Sequence, residues 1–181
     1  MELTAETFRK VMGHFVTGVT VVTTLEPGRA GQAPRPHGVT VNALSSVSLE
    51  PALVMVAIDR TRRIAPILRA AGRYAVNILS EDQQALSDCF AGAPTEPDRE
   101  AFCGAAWTPG ATGLPLLDGA IASLECTTLD IVAAGDHDLY VARVDALAND
   151  EHHPMPLLFY RRRYLRVERA RSVDLEGKPE R

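Results

Sequence analysis

Apolar residues near the start of the chain recur at the spacing of a helix. The positions i, i+3, i+4 and i+7 of this stripe are occupied by Phe8, Val11, Met12 and Phe15. Thr4 lies just before the stripe, where its hydroxyl can accept a hydrogen bond from an N–H group of the first turn. The pattern therefore predicts an amphipathic helix with Thr4 as its N-cap.

Most of the later pattern is typical of β-strands, because β-branched and apolar residues run between clusters of turn formers. The predicted strands cover residues 17–24, 38–48, 52–58, 73–79, 120–134 and 139–147, with a short apolar run at 157–160. The run at 52–58 is continuously apolar, which predicts a strand buried on both faces. Residues 26–36 and 93–117 are rich in proline and glycine and are expected to be irregular, with Trp107 packed rather than functional.

Two further helices are predicted between these strands. Thr61 is a candidate N-cap for a helix through residue 70, which accommodates Pro66 only if it begins late or bends. Ser80 and Gln83 fit a capping box for the other helix, and Gly92 marks its end. Strands do not alternate regularly with helices, so a closed antiparallel barrel with peripheral helices is favoured over a parallel sheet.

Composition narrows the class of protein. The chain has 181 residues, of which 46% are hydrophobic and 23% are charged, as in an ordinary globular protein of one domain. Its formal net charge is −4, and no basic face interleaved with aromatic residues runs through it, which argues against nucleic-acid binding. No apolar run is long enough to span a membrane, and the first residues do not have the pattern of a signal peptide.

The cysteines, Cys89, Cys103 and Cys126, form no CxxC pair. Their odd number and wide spacing indicate neither a disulfide framework nor a zinc site. We therefore expect reduced, packed thiols in a cytoplasmic protein.

The familiar catalytic motifs are missing: the chain has no GxSxG, GxGxxG, Walker loop or HExxH. Its histidines lack the spacing of a metal site, and the His152-His153 pair is expected to lie in a solvated loop. An enzyme with this inventory would take its reactive atoms from a cofactor.

Residues 38–51 stand out because small polar side chains follow a predicted strand and the turn after it. Small residues allow a flat aromatic ligand to approach the backbone, while hydroxyls and amides can donate to a phosphate or a ring carbonyl. Arg60, Arg62 and Arg63 lie just past the next predicted strand, where they could reach the same phosphate. The residues alone leave open the alternative of a Ser/Thr-rich strand end beside a solvated arginine cluster.

From about Phe8 to Arg166 the chain resembles the short flavin reductases of two-component monooxygenases, the flavin reductase-like family with an FMN-binding split barrel. The resemblance rests on five blocks in order: FRKVMGHFVTGVTVVTT, GVTVNALSSVSLEPALVMVAI, GRYAVNILSEDQQALSDCFAG, AGDHDLYVARV and PLLFYRRRYLRV. It implies a mainly β (α+β) fold, an antiparallel split β-barrel with peripheral helices over residues 1–170, followed by a disordered tail at 171–181. It also implies a homodimer whose flavin lies in a groove on the barrel.

The resemblance further implies which residues bind the flavin. The second block would hold the ring and ribityl chain through Thr40, Val41, Asn42, Ala43, Ser45 and Ser46. The family often has a basic residue and a serine after the next strand to hold the phosphate. Arg60 matches the basic position here, but Arg62 replaces the serine, so the phosphate contacts and the choice between FMN and FAD stay open. Phe90 is expected near the flavin.

On the nicotinamide side, the matching residues are His137, Phe159, Tyr160 and Arg161. His137 is the candidate catalytic residue, which would position the nicotinamide or shield the flavin ring; taken alone, it would be a turn residue bonded to backbone. The arginines at positions 161, 162, 163 and 166 either contact a nucleotide phosphate or form a solvated basic edge.

The activity implied is that of an NAD(P)H-dependent flavin reductase, which transfers hydride to FMN or FAD and supplies reduced flavin to a partner monooxygenase. NADH or NADPH is then the co-substrate, and no metal, nucleic acid or membrane is expected. Two alternatives share the fold, a non-catalytic flavin- or haem-binding protein and an oxidase related to the pyridoxamine-phosphate oxidases. Whether the flavin is a substrate or a bound prosthetic group also stays open.

Overall fold

Three α-helices and twelve β-strands make up the part of the chain that the computed structural model describes, residues 2–28, 32–92, 102–149 and 155–167. The helices are α1 (Ala5–Met12), α2 (Ile64–Ala71) and α3 (Gln84–Ala91), and a 3-10 turn at Glu81–Gln83 leads into the last. The strands are β1 (Thr17–Gly18), β2 (Thr20–Glu26), β3 (Arg35–Val41), β4 (Leu44–Leu49), β5 (Ala52–Asp59), β6 (Arg73–Ile78), β7 (Trp107–Pro109), β8 (Pro115–Leu117), β9 (Ala122–Ala134), β10 (His137–Asn149), β11 (Leu158–Tyr160) and β12 (Arg163–Leu165).

Seven strands form one antiparallel sheet in the order β3-β2-β6-β9-β10-β5-β4. The two edge strands, β3 and β4, are consecutive in the chain and are joined only by Asn42 and Ala43. Because so few residues separate them, the edges lie within about 11 Å of each other at this point. The sheet therefore curls round until its edges approach, while no ladder pairs β3 with β4 in the described residues. This arrangement confirms the predicted antiparallel split barrel, and we call the gap between the two edges the seam.

The barrel interior is filled largely by valines, as the β-branched stretches predict. Val22, Val56 and Val76 are fully buried there. Tyr74 and Tyr140 pack edge to face in the same cluster, with 6.4 Å between ring centroids. Burial raises the pKa of the Tyr74 hydroxyl far above its ordinary value.

Asn77 on β6 is fully buried, yet each polar atom of its amide has a partner. Its Nδ2 donates to the carbonyl of Val21 at 3.1 Å and to the hydroxyl of Thr23 at 3.0 Å. Its Oδ1 accepts from the Leu117 N–H and from the Ser123 hydroxyl, both at 2.9 Å. One side chain thus joins β2, β6, β8 and β9, and a fully satisfied buried network of this kind favours a single packing.

Hydrogen bonds made by threonines near the first turns show where α1 and α2 begin. The Thr4 hydroxyl accepts from the N–H of Thr7 at 3.1 Å, which confirms the predicted cap of α1. The cap predicted for α2 is wrong: the Thr61 hydroxyl donates to the Asp59 carboxylate at 2.7 Å, and the helix begins only at Ile64. This late start places Pro66 in the first turn, where its missing N–H costs no helical hydrogen bond.

The prediction that the strand at 52–58 is buried on both faces is wrong. Val54, Val56 and Ile58 are buried, whereas the residues between them are only half-buried. The physical reason is that β5 lies in an antiparallel sheet beside the edge strand β4, so only its inner face packs against the barrel interior.

The expectation of three reduced cysteines is also wrong. Cys89 at the end of α3 and Cys103 are joined by a disulfide, with their Cα atoms 6.1 Å apart, and only Cys126 is a free, buried thiol. The chain returns after α3 so that Phe102 packs on Phe90, with ring centroids 5.1 Å apart, and this packing sets the neighbouring cysteines side by side.

Some predictions concern residues that the structure does not describe. His152-His153 and the tail at 171–181 are not among the described residues, so the predictions for them, and for a domain over 1–170, stay predictions. In the described ranges no helix has the length and hydrophobicity to cross a membrane.

Candidate functional site

A cavity of about 270 Å³ opens at the seam of the barrel. We call it the seam cavity; its walls come from the end of β3, the turn that follows, the end of β5 and the start of β10. The lining residues are Val39, Thr40, Val41, Asn42, Ala43, Ala57, Ile58, Asp59, Arg62 and His137. Six of the residues predicted from the sequence thus meet in one place: Thr40, Val41, Asn42, Ala43, Arg62 and His137.

Two polar side chains of β3 and the turn after it already make hydrogen bonds within the protein. The Thr40 hydroxyl donates to the carbonyl of Ser87 on α3 at 2.6 Å, which leaves it only accepting capacity. The Asn42 Nδ2 donates to the Thr17 hydroxyl at 2.9 Å, so its amide oxygen is available at the cavity. Ala43 and Ala57 add small apolar walls.

His137 is the first residue of β10 and follows a tight turn in which Gly135 has a left-handed φ of 64°. Its Nδ1 lies 2.6 Å from Oδ1 of Asp136, and its half-exposed side chain leaves Nε2 for another partner. This hydrogen bond with His137 lowers the pKa of Asp136. Across the ladder His137 pairs with Asp59, whose pKa is lowered by hydrogen bonds from the backbone and side chain of Thr61.

The carboxylate of Asp138, the residue after His137, pairs with arginines and not with the imidazole. Asp138 is buried, and its carboxylate lies 2.7 Å from Arg69 and 3.6 Å from Arg60. The Arg60 N–H also donates to the carbonyl of Asp136 at 3.1 Å. Arg60, predicted as a phosphate ligand, is therefore tied to the turn that carries His137 and does not line the seam cavity.

Arg62 lies between the seam cavity and a second, larger one. Its Nη1 donates to the carbonyl of Ala91 at 3.1 Å, and its Nε lies 4.0 Å from the Asp59 carboxylate. The second cavity measures about 650 Å³ and is lined partly by Phe90, Phe102 and Trp107; we call it the aromatic cavity. Phe90, predicted to lie near the flavin, lines this cavity and not the seam cavity.

Besides Arg60, five further predicted residues lie outside both cavities. Ser45 and Ser46 are exposed on the edge strand β4. Phe159, Tyr160 and Arg161 lie instead in and beside the small sheet β1-β11-β12, next to α1. The Arg161 N–H donates to the carbonyl of Gly13 at 2.8 Å, and the Tyr160 ring packs on His14 with 6.2 Å between centroids.

Some of the lining residues cannot be selected from the sequence pattern. Asp59 is the last residue of β5, and its pairing with His137 brings it into the cavity wall. Ala57 and Val39 belong to the alternating faces of β5 and β3, and only the register of the strands decides that these residues line the gap. Among the described residues no cluster of His, Cys, Asp or Glu could hold a metal ion.

The seam cavity fits the flat ring of a flavin. Its walls are mainly backbone, alanines, valines and Ile58, with the Thr40 hydroxyl, one amide, one histidine, one guanidinium and the Asp59 carboxylate placed around them, a largely apolar lining with few polar groups as in sites that bind an aromatic cofactor. A nucleophile held by a base, which acyl-transfer chemistry requires, is absent from the residues that line it.

A split barrel with a cavity of this kind at its seam suits a flavin-binding protein, and the fold alone does not decide its activity. Residues 12–168 match the flavin reductase like domain, and the chain belongs to this family. The resemblance seen in the sequence is thereby confirmed over most of the chain.

Similar proteins extend the comparison. The chain is 41% identical over 179 residues to an NADH-dependent flavin reductase of Rhodococcus sp., covering 99% of this chain and 92% of that protein. It is 34% identical over 173 residues to HsaB, the reductase subunit of a flavin-dependent monooxygenase of Mycobacterium tuberculosis, covering 95% and 87%. The crystal structure of a nitrilotriacetate monooxygenase component B homolog from Mycobacterium thermoresistibile has a TM-score of 0.81 at 36% identity, covering 97% of this chain and 90% of that one.

Proposed function

We propose that this protein is an NADH-dependent flavin reductase, of enzyme class EC 1.5.1.-, that reduces FMN or FAD and supplies the reduced flavin to a partner monooxygenase. The observation that carries the proposal is the convergence of the β3–β4 turn, the end of β5 and His137 on one cavity at the seam. The names of the similar proteins support NADH as the hydride donor and an oxygenase as the partner.

A bound flavin supplies the hydride-accepting chemistry, so the chain has to bind and orient rather than provide a strong acid or base. Ala43 and Ala57 leave room for a planar ring close to the backbone, and the free amide oxygen of Asn42 can accept from a ring N–H. His137 is fixed through Nδ1 by Asp136, so its Nε2 is held toward a ligand at the cavity rim. We assign His137 the task of positioning the nicotinamide against the flavin.

We further propose that Arg62, rather than Arg60, holds the flavin phosphate. Arg62 lines the seam cavity, whereas Arg60 pairs with the buried Asp138. The helix α2 begins next to Arg62 with no acidic residue in its first turn, which adds positive potential at the same end of the cavity.

Substitutions test this assignment. Arg62→Ala removes a charge-assisted hydrogen bond of about 1.5–3 kcal/mol and should weaken FMN binding by about tenfold or more. The double variant Ser46→Ala/Arg60→Ala should have a smaller effect, because neither side chain lines the cavity. Fluorescence titration of FMN measures both, and riboflavin, which lacks the phosphate, is the control. A larger loss of FMN affinity in the double variant than in Arg62→Ala would instead assign phosphate binding to Arg60 and Ser46.

We also propose that the protein is a cytoplasmic homodimer. The dimer is supported by the apolar residues of α1 and of the turn after it, since Phe8, Val11, Met12 and Phe15 are all exposed in the single chain. A second copy seated on α1 would also bring a ligand groove near Tyr160 and Arg161, which lie beside that helix. The location is supported by the need for NADH; the Cys89–Cys103 disulfide points the other way, because such bonds persist mainly in oxidising compartments.

The activity is tested by mixing purified protein with NADH and either FMN or FAD under air and following the absorbance of NADH. Flavin-dependent loss of NADH, with reduced flavin released into solution, is the expected result. A tightly held chromophore without NADH oxidation would instead identify a flavin- or haem-binding protein and overturn the proposal.

A further inference from the structure

We propose that Tyr164 is a positioning residue for Arg62, the side chain assigned to the flavin phosphate, and that it acts through the helix α3. Tyr164 lies on β12 of the small sheet and is not among the residues that line either cavity. The inference rests on the proposed function, because it assumes that Arg62 binds the phosphate.

The last turn of α3 provides the contact that holds Arg62 at the seam cavity. The Nη1 of Arg62 donates to the carbonyl of Ala91 at 3.1 Å. Ala91 is the last residue of α3, and the carbonyls of a final turn lack helical partners and carry the negative end of the helix dipole. A guanidinium is therefore stabilised here, and the direction of the Ala91 carbonyl helps to set where the Arg62 side chain lies.

The Tyr164 hydroxyl contacts two consecutive residues of α3. It donates to Oδ1 of Asp88 at 2.9 Å, and since a phenol has one proton to give, it accepts from the Ser87 hydroxyl at 2.8 Å. Burial raises the pKa of Tyr164, so the hydroxyl keeps its proton. The ring is held by Phe159, its paired residue on β11, with 5.2 Å between centroids. The hydroxyl is thus fixed against α3 by a ring that is itself packed.

The bond to Asp88 reaches the same turn that ends at Ala91. The N–H of Gly92, which has a left-handed φ of 98°, donates to the carbonyls of Asp88 and Cys89 and closes this turn. Asp88 is therefore tied to β12 by its side chain and to the end of α3 by its backbone. Without the Tyr164 hydroxyl the Asp88 side chain loses its partner on β12, and we expect the Ala91 carbonyl to be held less firmly.

The residue before Asp88 has a second anchor on the wall of the seam cavity. Ser87 is fully buried, and its carbonyl accepts from the Thr40 hydroxyl at 2.6 Å while its own hydroxyl donates to Tyr164. Because Ser87 stays bonded to β3 when Tyr164 is changed, the position of Thr40 depends less on Tyr164 than the final turn does. The effect of Tyr164 is therefore expected at Arg62 and at the phosphate.

The test compares Tyr164→Phe, which removes the hydroxyl and keeps the ring on Phe159, with the unmodified protein. We expect the Kd for FMN, from fluorescence titration, to rise about fivefold, and the Kd for riboflavin, which lacks the phosphate, to change by less than about twofold. The KM for FMN in NADH oxidation should rise, while kcat at saturating FMN stays the same. Tyr74→Phe is the matched control: it loses a buried hydroxyl bonded to the Tyr140 carbonyl at 3.3 Å and should leave the Kd for FMN unchanged.

A double-mutant cycle shows whether Tyr164 acts through Arg62. In the Arg62→Ala background, Tyr164→Phe should raise the Kd for FMN by less than about twofold, because the side chain that it positions is gone. The intermediate residue is tested by two substitutions. Asp88→Asn keeps an oxygen that can accept from Tyr164, so it should bind FMN more tightly than Asp88→Ala, which does not.

Several outcomes would overturn the proposal. An unchanged Kd for FMN in Tyr164→Phe, or an equal rise for FMN and riboflavin, would show that Tyr164 does not act on the phosphate. Additive effects of Tyr164→Phe and Arg62→Ala would show that the two side chains act independently. An equal loss in Tyr74→Phe would trace the effect to general stability. Failure of the proposed function has a different signature, since the unmodified protein would then oxidise no NADH with flavin, whatever Tyr164→Phe does to FMN binding.

Discussion

His137 is held by contacts that differ for its ring and for its backbone. The ring is fixed through Nδ1 by Asp136 at 2.6 Å, while the turn around it is fixed by the Arg60 N–H and by Asp138 between Arg60 and Arg69. The turn therefore keeps its shape without the imidazole. This separation allows the contribution of the imidazole to be measured without disturbing the barrel.

We predict that His137→Ala leaves flavin affinity and the melting temperature nearly unchanged but slows flavin reduction about tenfold, or about 1.4 kcal/mol of transition-state stabilisation. Stopped-flow bleaching of the flavin band at saturating NADH gives the rate. His137→Gln, which retains a hydrogen-bonding group, should lose less. An unchanged rate for His137→Ala would make it an ordinary turn residue, and a large drop in melting temperature would show a structural role instead.

Asn77 contributes to stability rather than to catalysis. Replacing it by leucine leaves the Leu117 N–H and the Val21 carbonyl without their side-chain partners in the barrel interior. We expect the free energy of unfolding to fall by about 3 kcal/mol, with the urea m-value unchanged. Asn149→Leu, at an exposed position on β10, is the matched control and should change the midpoint little. Equal midpoints for the two variants would contradict the role given to the buried amide.

The Cys89–Cys103 disulfide joins α3 to Cys103, with a sequence separation of 14 residues. Closing a loop of this length restricts the unfolded chain by about 3 kcal/mol. We predict that a reductant lowers the melting temperature of the unmodified protein, whereas Cys89→Ser/Cys103→Ser melts at the lower temperature with or without it. Thiol titration of the unfolded, unreduced chain should find one thiol, that of Cys126. Three thiols, or a melting temperature insensitive to reductant, would contradict the bond.

Several elements followed from the sequence because their determinants are local. The cap at Thr4 and the stop at Gly92 depend on neighbouring residues only. The run at 38–48 was predicted as one strand, but Asn42 and Ala43 break it into the two edges of the barrel. That break is long-range in origin, since it depends on the sheet curling until β3 and β4 approach.

The features of the candidate site also divide into those that could be predicted from the sequence and those that depend on contacts between distant parts of the chain. The resemblance selected Thr40–Ala43, Arg62 and His137, and the strand register brings them together at the seam. It could not show that Arg60 would pair with Asp138, because the partner lies on β10, far along the chain. The disulfide was missed for a similar reason, since the distance between Cys89 and Cys103 depends on how Phe90 and Phe102 pack.

The apolar surface of the single chain exceeds what scattered exposed residues would explain. Phe8, Val11 and Met12 on α1 are exposed, and Phe15, just beyond the end of this helix, is 70% exposed. Leu129 and Val132 on β9 and Leu147 on β10 are exposed as well. Exposed apolar side chains concentrated in one short segment, as at residues 8–15, are typical of a protein interface. The residues Phe159, Tyr160 and Arg161, which miss both cavities, lie beside this segment.

We predict that the protein is a dimer in solution and that Phe8→Glu/Phe15→Glu shifts it to the monomer, because two charges would be buried in an apolar interface. Sedimentation velocity gives the mass, and circular dichroism checks that the barrel persists. Lys10→Glu, a charge reversal in the same helix outside the apolar stripe, is the control and should stay dimeric. If Phe159–Arg161 complete the site of the second copy, the monomeric variant loses NADH oxidation while it keeps FMN affinity. A dimer that survives the double substitution would place the interface elsewhere, and a fully active monomer would show that one chain holds the whole site.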